Sequence, residues 1–169
     1  SAASDVYKRQ ERVIRDLASQ GNKIIFATSF EFMNPALKVA KEFPDVKFEH
    51  CTGYKTADNF SYYNARFYQA RYLAGKLAAS MSKDGHLGYV AAVPIPEVLQ
   101  GINAYTLGAQ TINPNVKVDV VWTNTWYDPG KEADATNTLI GQGCDIITHH
   151  TNSQAVASTA ESKGCLLYT

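Results

Sequence analysis

Apolar positions along the chain follow two rhythms, and the two alternate. Short runs of roughly four to eight apolar-rich residues predict strands. They lie at Lys23–Ala27 (KIIFA), Val46–His50, His86–Ala92 (HLGYVAA), Val116–Thr123 and Asp145–Thr148 (DIIT), with a further short one at Asn59–Tyr63 (NFSYY). Between them, apolar residues recur at the helical spacing of three and four. Glu11–Gln20 reads as a helix with Val13, Ile14 and Leu17 on one face and Gly21 as its stop. Asn34-Pro35 opens the next, with Asn34 as cap and Ala36, Leu37, Val39 and Ala40 as the buried face. Ala65–Met81 is a long helix whose stripe of Phe67, Tyr68, Tyr72, Leu73 and Leu77 is expected in the core. Helices follow from Pro96 to about Ile112 and from Asp128-Pro129 to Gln142, and Ser153 caps a last one ending at Lys163-Gly164.

Strands alternating with helices imply βαβ units and parallel sheets, and right-handed crossovers place helices on both faces. The fold class is therefore α/β. A strand, a short loop and a proline at the helix start recur at Pro35, Pro96 and Pro129. All such loops lie on one edge of a parallel sheet, where helix N-termini present free N–H groups and ligands bind. The stretch Tyr54–Asn64 carries no long helix, unlike the other connections. It marks a passage from one lobe to another near Tyr63–Arg66. The expectation is two doubly wound parallel-sheet lobes, both incomplete, with residues 11–63 in the first and 64–164 in the second.

The two ends read differently from the rest. SAASDVYKRQ (residues 1–10) and CLLYT (residues 165–169) are similar to translated sequencing-adapter DNA, each in the orientation proper to its end. They are expected to be scars that take no part in the fold, with Glu11–Gly164 as the natural stretch.

Composition narrows the function. Of 169 residues, 45% are hydrophobic and 16 basic side chains balance 16 acidic ones. No apolar run reaches the roughly 18 residues a membrane helix needs. No basic excess points to nucleic acid. Three cysteines without metal-type spacing suggest neither a disulfide framework nor a zinc site. The G-x-S-x-G elbow, the phosphate loop and G-x-G-x-x-G are all absent. No catalytic residue, metal or cofactor is implied.

His149-His150 follows a strand on the ligand edge; adjacent residues of an extended chain point opposite ways, so one packed and one exposed ring are expected. Cys144 and Cys51 read as small buried thiols. Asn59-Phe60-Ser61 formally matches a glycosylation acceptor. The aromatic loops Ser29-Phe30-Glu31-Phe32 and Trp122-Thr123-Asn124-Thr125-Trp126-Tyr127-Asp128 say more. A tryptophan beside a helix N-terminus suits a flat ring held by stacking, with polar groups fixing its edge. Phe32 and Tyr127 can equally close the core, and Asp128 reads as an N-cap.

Several segments, in order, carry a family likeness: ATSFEFMNPALKVAKEFPDVKFEHCTGYK, YNARFYQARYLAGKLAA, GYVAAVPIPEVLQGINAYTLGAQTINPNVKV and WTNTWYDPGKEADATNTLIGQGCDIITHHTNS. The Y-L-A-G helix, the P-I-P-E-V helix and W-Y-D-P-G-K-E are the most specific pieces. The chain resembles the basic-membrane-protein (BMP), PnrA-like family of ABC-transporter substrate-binding lipoproteins. The resemblance implies a type I periplasmic-binding-protein fold, with a cleft between two lobes and crossing segments as hinge. It implies a purine nucleoside or related purine as ligand, a membrane permease as partner, a monomer, and a periplasmic or cell-surface location, with the signal segment outside this stretch. It implies no enzyme activity. In the family, aromatics from both lobes sandwich the base. By this resemblance Phe30 stands at or next to the first-lobe position and Trp126 at the second, with Ser29, Tyr54, Asn64 and Pro94 in loops facing the cleft.

A ligand touching both lobes shifts the hinge toward closure by its differential affinity for the closed form. The alternative is a ligand-sensing domain of a transcriptional regulator with the same fold. A third reading, a doubly wound enzyme using His149 or His150, needs a perturbed pKa and a nearby acid.

Overall fold

A computed structural model describes residues 2–167, with side chains from Lys8 onward. The chain divides into two compact units, Ser1–Ala65 and Arg66–Thr169.

The first unit opens with α1 (Ala2–Ser19), followed by β1 (Ile24–Ala27), a 3-10 turn (Phe30–Phe32), α2 (Met33–Glu42), β2 (Lys47–Cys51) and β3 (Phe60–Tyr63). The strands are parallel in the order β1-β2-β3, with Ile25 beside Phe48 and Phe48 beside Phe60. Alternate strand residues Ile25, Ala27, Phe48 and Phe60 meet Ile14 and Ala18 of α1 and Ala36, Val39 and Ala40 of α2 in one core. The other set is open: Ile24 and Phe26 are more than half exposed. Because α1 reaches the sheet along one flank only, Val13 and Leu17 stay exposed beside the buried Ile14. The helical face read from the sequence is thus rotated by about one residue. Arg15 of α1 clamps Glu42 of α2 through its Nε and Nη2 (both 2.8 Å).

Asn34 does not cap α2: the helix begins at Met33 after Phe32, and the Asn34 side chain instead accepts from Lys55 Nζ (2.8 Å). The 3-10 turn runs straight into α2, so the helix starts before the asparagine can precede it. Asn59 directs its Nδ2 at the carbonyls of Ala40, Phe43 and Val46, each at 2.9 Å. That amide ties α2, its turn and β2 together, which removes it as a glycosylation acceptor.

The second unit comprises α3 (Phe67–Met81), β4 (His86–Ala91), α4 (Pro96–Gln110), β5 (Lys117–Trp122), α5 (Pro129–Gly141), β6 (Ile146–His150), α6 (Ala155–Ser162) and β7 (Leu166–Leu167). Its sheet is parallel in the order β5-β4-β6-β7. Leu87, Tyr89 and Ala91 of β4 face α3 and α4, whereas Val90 faces α5 and α6. Helices therefore cover both faces, as a doubly wound order requires.

The aromatic stripe expected to bury α3 lies largely outside. Phe67, Leu73 and Leu77 are exposed, and the buried residues are Gly75, Ala78 and Ala79. A methyl group on Gly75 would strike the Tyr105 backbone carbonyl, and one on Gly108 the Tyr72 carbonyl. The two helices meet backbone to backbone, so the small residues own the interface and the large ones are displaced.

Asp128 caps α5 as expected, its side chain accepting from Lys131 N (3.1 Å). Ser153 accepts from Ala155 N at the start of α6 (3.1 Å). The end segments set apart in the sequence take regular structure: α1 extends back to Ala2, and Leu166-Leu167 pairs with Ile146-Ile147. Ala2–Gln10 contains neither glycine nor proline, and two leucines suit the open edge of β6. Residue 1 and residues 168–169 of these ends lie outside the described residues.

Candidate ligand-binding site

In the first unit the carboxyl ends of the strands carry Ser29, Phe30 and Tyr54. Their support is His50, the last but one residue of β2, which is fully buried and stacked on Phe60 (ring centroids 5.9 Å apart, planes 23° apart). Its Nε2 donates to the Ser29 carbonyl at 2.8 Å and its Nδ1 is buried without a partner, so the proton sits on Nε2. Burial holds the ring's pKa below 6.5. A side chain on Gly53 would overlap this ring. The histidine thus fixes the loop from which Phe30 projects. Phe30 is half-buried, with its ring 6.5 Å from that of exposed Tyr54 at a tilt of 40°. Asn64, exposed past β3, turns Oδ1 onto the Ala65 N–H (2.8 Å). Phe32 packs on the core cluster.

In the second unit the winding direction changes at β4. The chain passes from β4 outward to β5, then crosses back to β6 on the other side. Open α/β sheets bind ligands outside the carboxyl ends at such a reversal. Three loops converge there. The first follows β4, holds exposed Pro94 and enters α4 with Glu97 in its first turn. The second follows β5: buried Thr123 donates its hydroxyl to the Thr125 carbonyl (2.8 Å), folding the loop so that Trp126 turns inward and Tyr127 stays 64% exposed. The third follows β6, and its Asn152 N–H donates to the Trp126 carbonyl (2.8 Å).

The side chains meet as well. The Trp126 and His150 rings stand edge to face, 5.6 Å apart at 70°, and His150 Nε2 lies 3.7 Å from Glu97 Oε1. Burial lowers the His150 pKa to about 4, helped by the nearby Arg71 and His149 charges. Burial raises that of Glu97. Both histidines of the pair are half-buried, not one packed and one exposed. Opposite faces were expected, but helices cover each face, so each ring finds cover. His149 Nδ1 pairs with Thr151 Oγ1 at 3.0 Å.

Fully buried Glu132 of α5 holds these loops in place. It accepts from Asp128 N (3.1 Å), Thr151 Oγ1 (2.9 Å) and Ser153 Oγ (2.6 Å), binding the β5 loop to the β6 loop. His50, Glu97 and Glu132 were not singled out from the sequence. An acid one turn after Asp128-Pro129 and another directly after Pro96 were the available signals.

Cys144 is buried, its thiol pushed up to about 12 mainly by that burial, whereas Cys51 is only half-buried. The ligating atoms of Cys144, His86 and Asp119 fall within 4.8 Å of one another at the opposite end of the strands, where Asp119 is paired with His86 (2.7 Å) and Lys117 (3.0 Å). No helix among the described residues is long and apolar enough to cross a membrane.

A family profile described as ABC transporter substrate-binding protein PnrA-like matches residues 1–168. The chain belongs to this family. It is 61% identical over 154 residues to a purine-binding protein of Brucella abortus, covering 91% of this chain and 44% of that protein. It is 42% identical over 154 residues to a Haloferax volcanii protein described as a candidate glucose-binding component of an ABC transporter, covering 91% and 39%. An ABC transporter solute-binding protein structure from Aeropyrum pernix superposes with a TM-score of 0.75 at 21% identity, over 96% of this chain and 49% of that one. The chain thus spans less than half the length of the curated relatives it matches. The family is one of ABC-transporter substrate-binding proteins, and the fold is that of ABC solute-binding proteins.

Proposed function

We propose that the chain carries parts of two ligand-binding lobes of an ABC importer's substrate-binding protein that takes a purine base or nucleoside outside the cytoplasm and delivers it, as a monomer, to a membrane permease. The observation that carries the ligand is the 61% identity to a purine-binding protein across 91% of the chain. The geometry agrees with it. Trp126 stands where a doubly wound sheet receives ligand, with polar atoms of Glu97 and His150 beside it. In the first unit, Ser29, Phe30 and Tyr54 form an aromatic-edged loop group of the same character. By the family resemblance, Asn64 after β3 and Pro94 in the second unit's β4 loop are further ligand-facing positions.

An enzyme reading finds its two requirements at His150, a shifted pKa and a neighbouring acid. A base with pKa about 4 is nonetheless poorly matched to proton transfer near neutral pH. Recognition suits the pair better.

The test is isothermal titration calorimetry on the complete gene product with hypoxanthine, adenosine and glucose. A purine is expected to bind and glucose not to. A stacked base gains about 1–3 kcal/mol per aromatic face, so Trp126→Ala should weaken purine binding by about fivefold to 150-fold. Glucose binding without purine binding would overturn the ligand assignment. Unchanged purine affinity in Trp126→Ala would remove this residue from the site.

A further inference from the structure

The purine reading leaves open what grips the rim of the ring. The best-placed groups are Glu97 and His150, which come from the two strands between which the winding reverses: Glu97 follows β4, and His150 ends β6. Their ring neighbour is Trp126, 5.6 Å from the imidazole. Each side chain has one buried polar atom with no hydrogen-bond partner, Oε2 of Glu97 and Nδ1 of His150. The other two atoms, Oε1 and Nε2, face each other at 3.7 Å, beyond hydrogen-bond distance. The side chains keep 15% and 20% of their surface open. A proton on buried Nδ1 would be an unsatisfied donor, whereas a proton on Nε2 lies beside a carboxylate. The neutral ring therefore turns Nε2–H outward, next to an outward acceptor. The result is one donor and one acceptor, too far apart to satisfy each other, beside an aromatic face.

We propose that Glu97 and His150 read the polar edge of the heterocycle that stacks on Trp126: Oε1 accepts from a ligand N–H, and Nε2–H donates to the acceptor adjacent to it. The inference rests on the purine reading and adds the specificity element to it. Hypoxanthine offers N1–H beside O6, and adenine offers N6–H beside a ring nitrogen. Methylation of the donor leaves the stacking face intact and removes its partner for Glu97. A site built to bond an N–H discriminates strongly against the analogue without it, because its own polar group is left unpaired.

The experiment compares hypoxanthine with 1-methylhypoxanthine, and adenine with N6,N6-dimethyladenine, by calorimetry on the complete gene product. The unsubstituted base should bind at least tenfold more tightly in each pair for which binding is seen. Glu97→Ala should weaken the unsubstituted base at least tenfold and the methylated one less than about twofold, so that discrimination collapses, whereas His150→Ala, whose ligand acceptor survives methylation, should weaken both members of a pair alike and leave the discrimination in place. Glu97→Gln, which keeps the acceptor oxygen, should retain it. Equal affinity of the unaltered protein for both members of a pair overturns the inference without any variant, and so does undiminished discrimination in folded Glu97→Ala. The two failures separate cleanly. If purines bind and need Trp126 but methylation makes no difference, this inference alone falls; if no purine binds, the purine reading falls and takes it along.

Discussion

At the scale of single residues, histidines take up much of the tension between burial and charge. His50, His149 and His150 all have pKa values lowered from 6.5, in each case chiefly by burial. A depressed histidine binds fewer protons folded than unfolded. Its contribution to stability is therefore complete above about 6.5 and is lost as pH falls toward the folded value, about 4 for His150. Glu97 works in the opposite sense: its raised pKa favours the folded state in acid and loses that contribution as pH rises. Asp119, with its pKa lowered by His86 and Lys117, adds to acid sensitivity only below the ordinary 3.8. The window from 6.5 to about 4 thus belongs mainly to the three rings. In the complete gene product the melting temperature should drop across it, and His150→Gln should flatten the drop. An equal slope in that variant would show that His150 is not the titrating group. Glu132 illustrates a different device: a buried carboxyl group is tolerated because three donors, from the backbone and from two hydroxyl groups, converge on it.

At the scale of elements, strand positions were readable because a buried parallel strand is a continuous apolar run, and β4 reproduces HLGYVA almost residue for residue. Which face of a helix is buried was less readable. For α3 the hydrophobic stripe named Phe67, Leu73 and Leu77, yet the contact belongs to Gly75, Ala78 and Ala79. Hydrophobicity marks what gains from burial. It does not mark which neighbour comes close enough to exclude everything larger than a hydrogen atom. Gly75→Ala should therefore cost about 2 kcal/mol by forcing α3 away from the Tyr105 carbonyl, measured by urea denaturation of the complete gene product. A neutral result would mean that the helices can separate without loss.

At the scale of the whole molecule, apolar surface is left open. Phe26, Ile24, Leu73 and Leu107 are each more than half exposed, and the first sheet is covered on one face by α1 and α2 among the described residues. Open apolar sheet faces favour association over solubility. The 169-residue chain by itself should bind a hydrophobic dye, melt without a sharp transition and hold purines weakly or not at all. A cooperative melt together with micromolar adenosine binding would contradict this.

The order of strands and helices and the parallel sheets follow from local pattern alone, because strand and helix periodicities are properties of neighbouring residues. Trp126 and Phe30 were visible as aromatics in loops, since exposed rings stand out against polar surroundings. The meeting of Glu97 with His150, the grip of His50 on the Ser29 carbonyl and the work of Glu132 were not visible. Those partners are far apart in sequence, and what joins them is the winding of the sheet, which brings separate strand ends to one edge. Only the packed structure decides which polar atoms are sealed in and which remain turned outward.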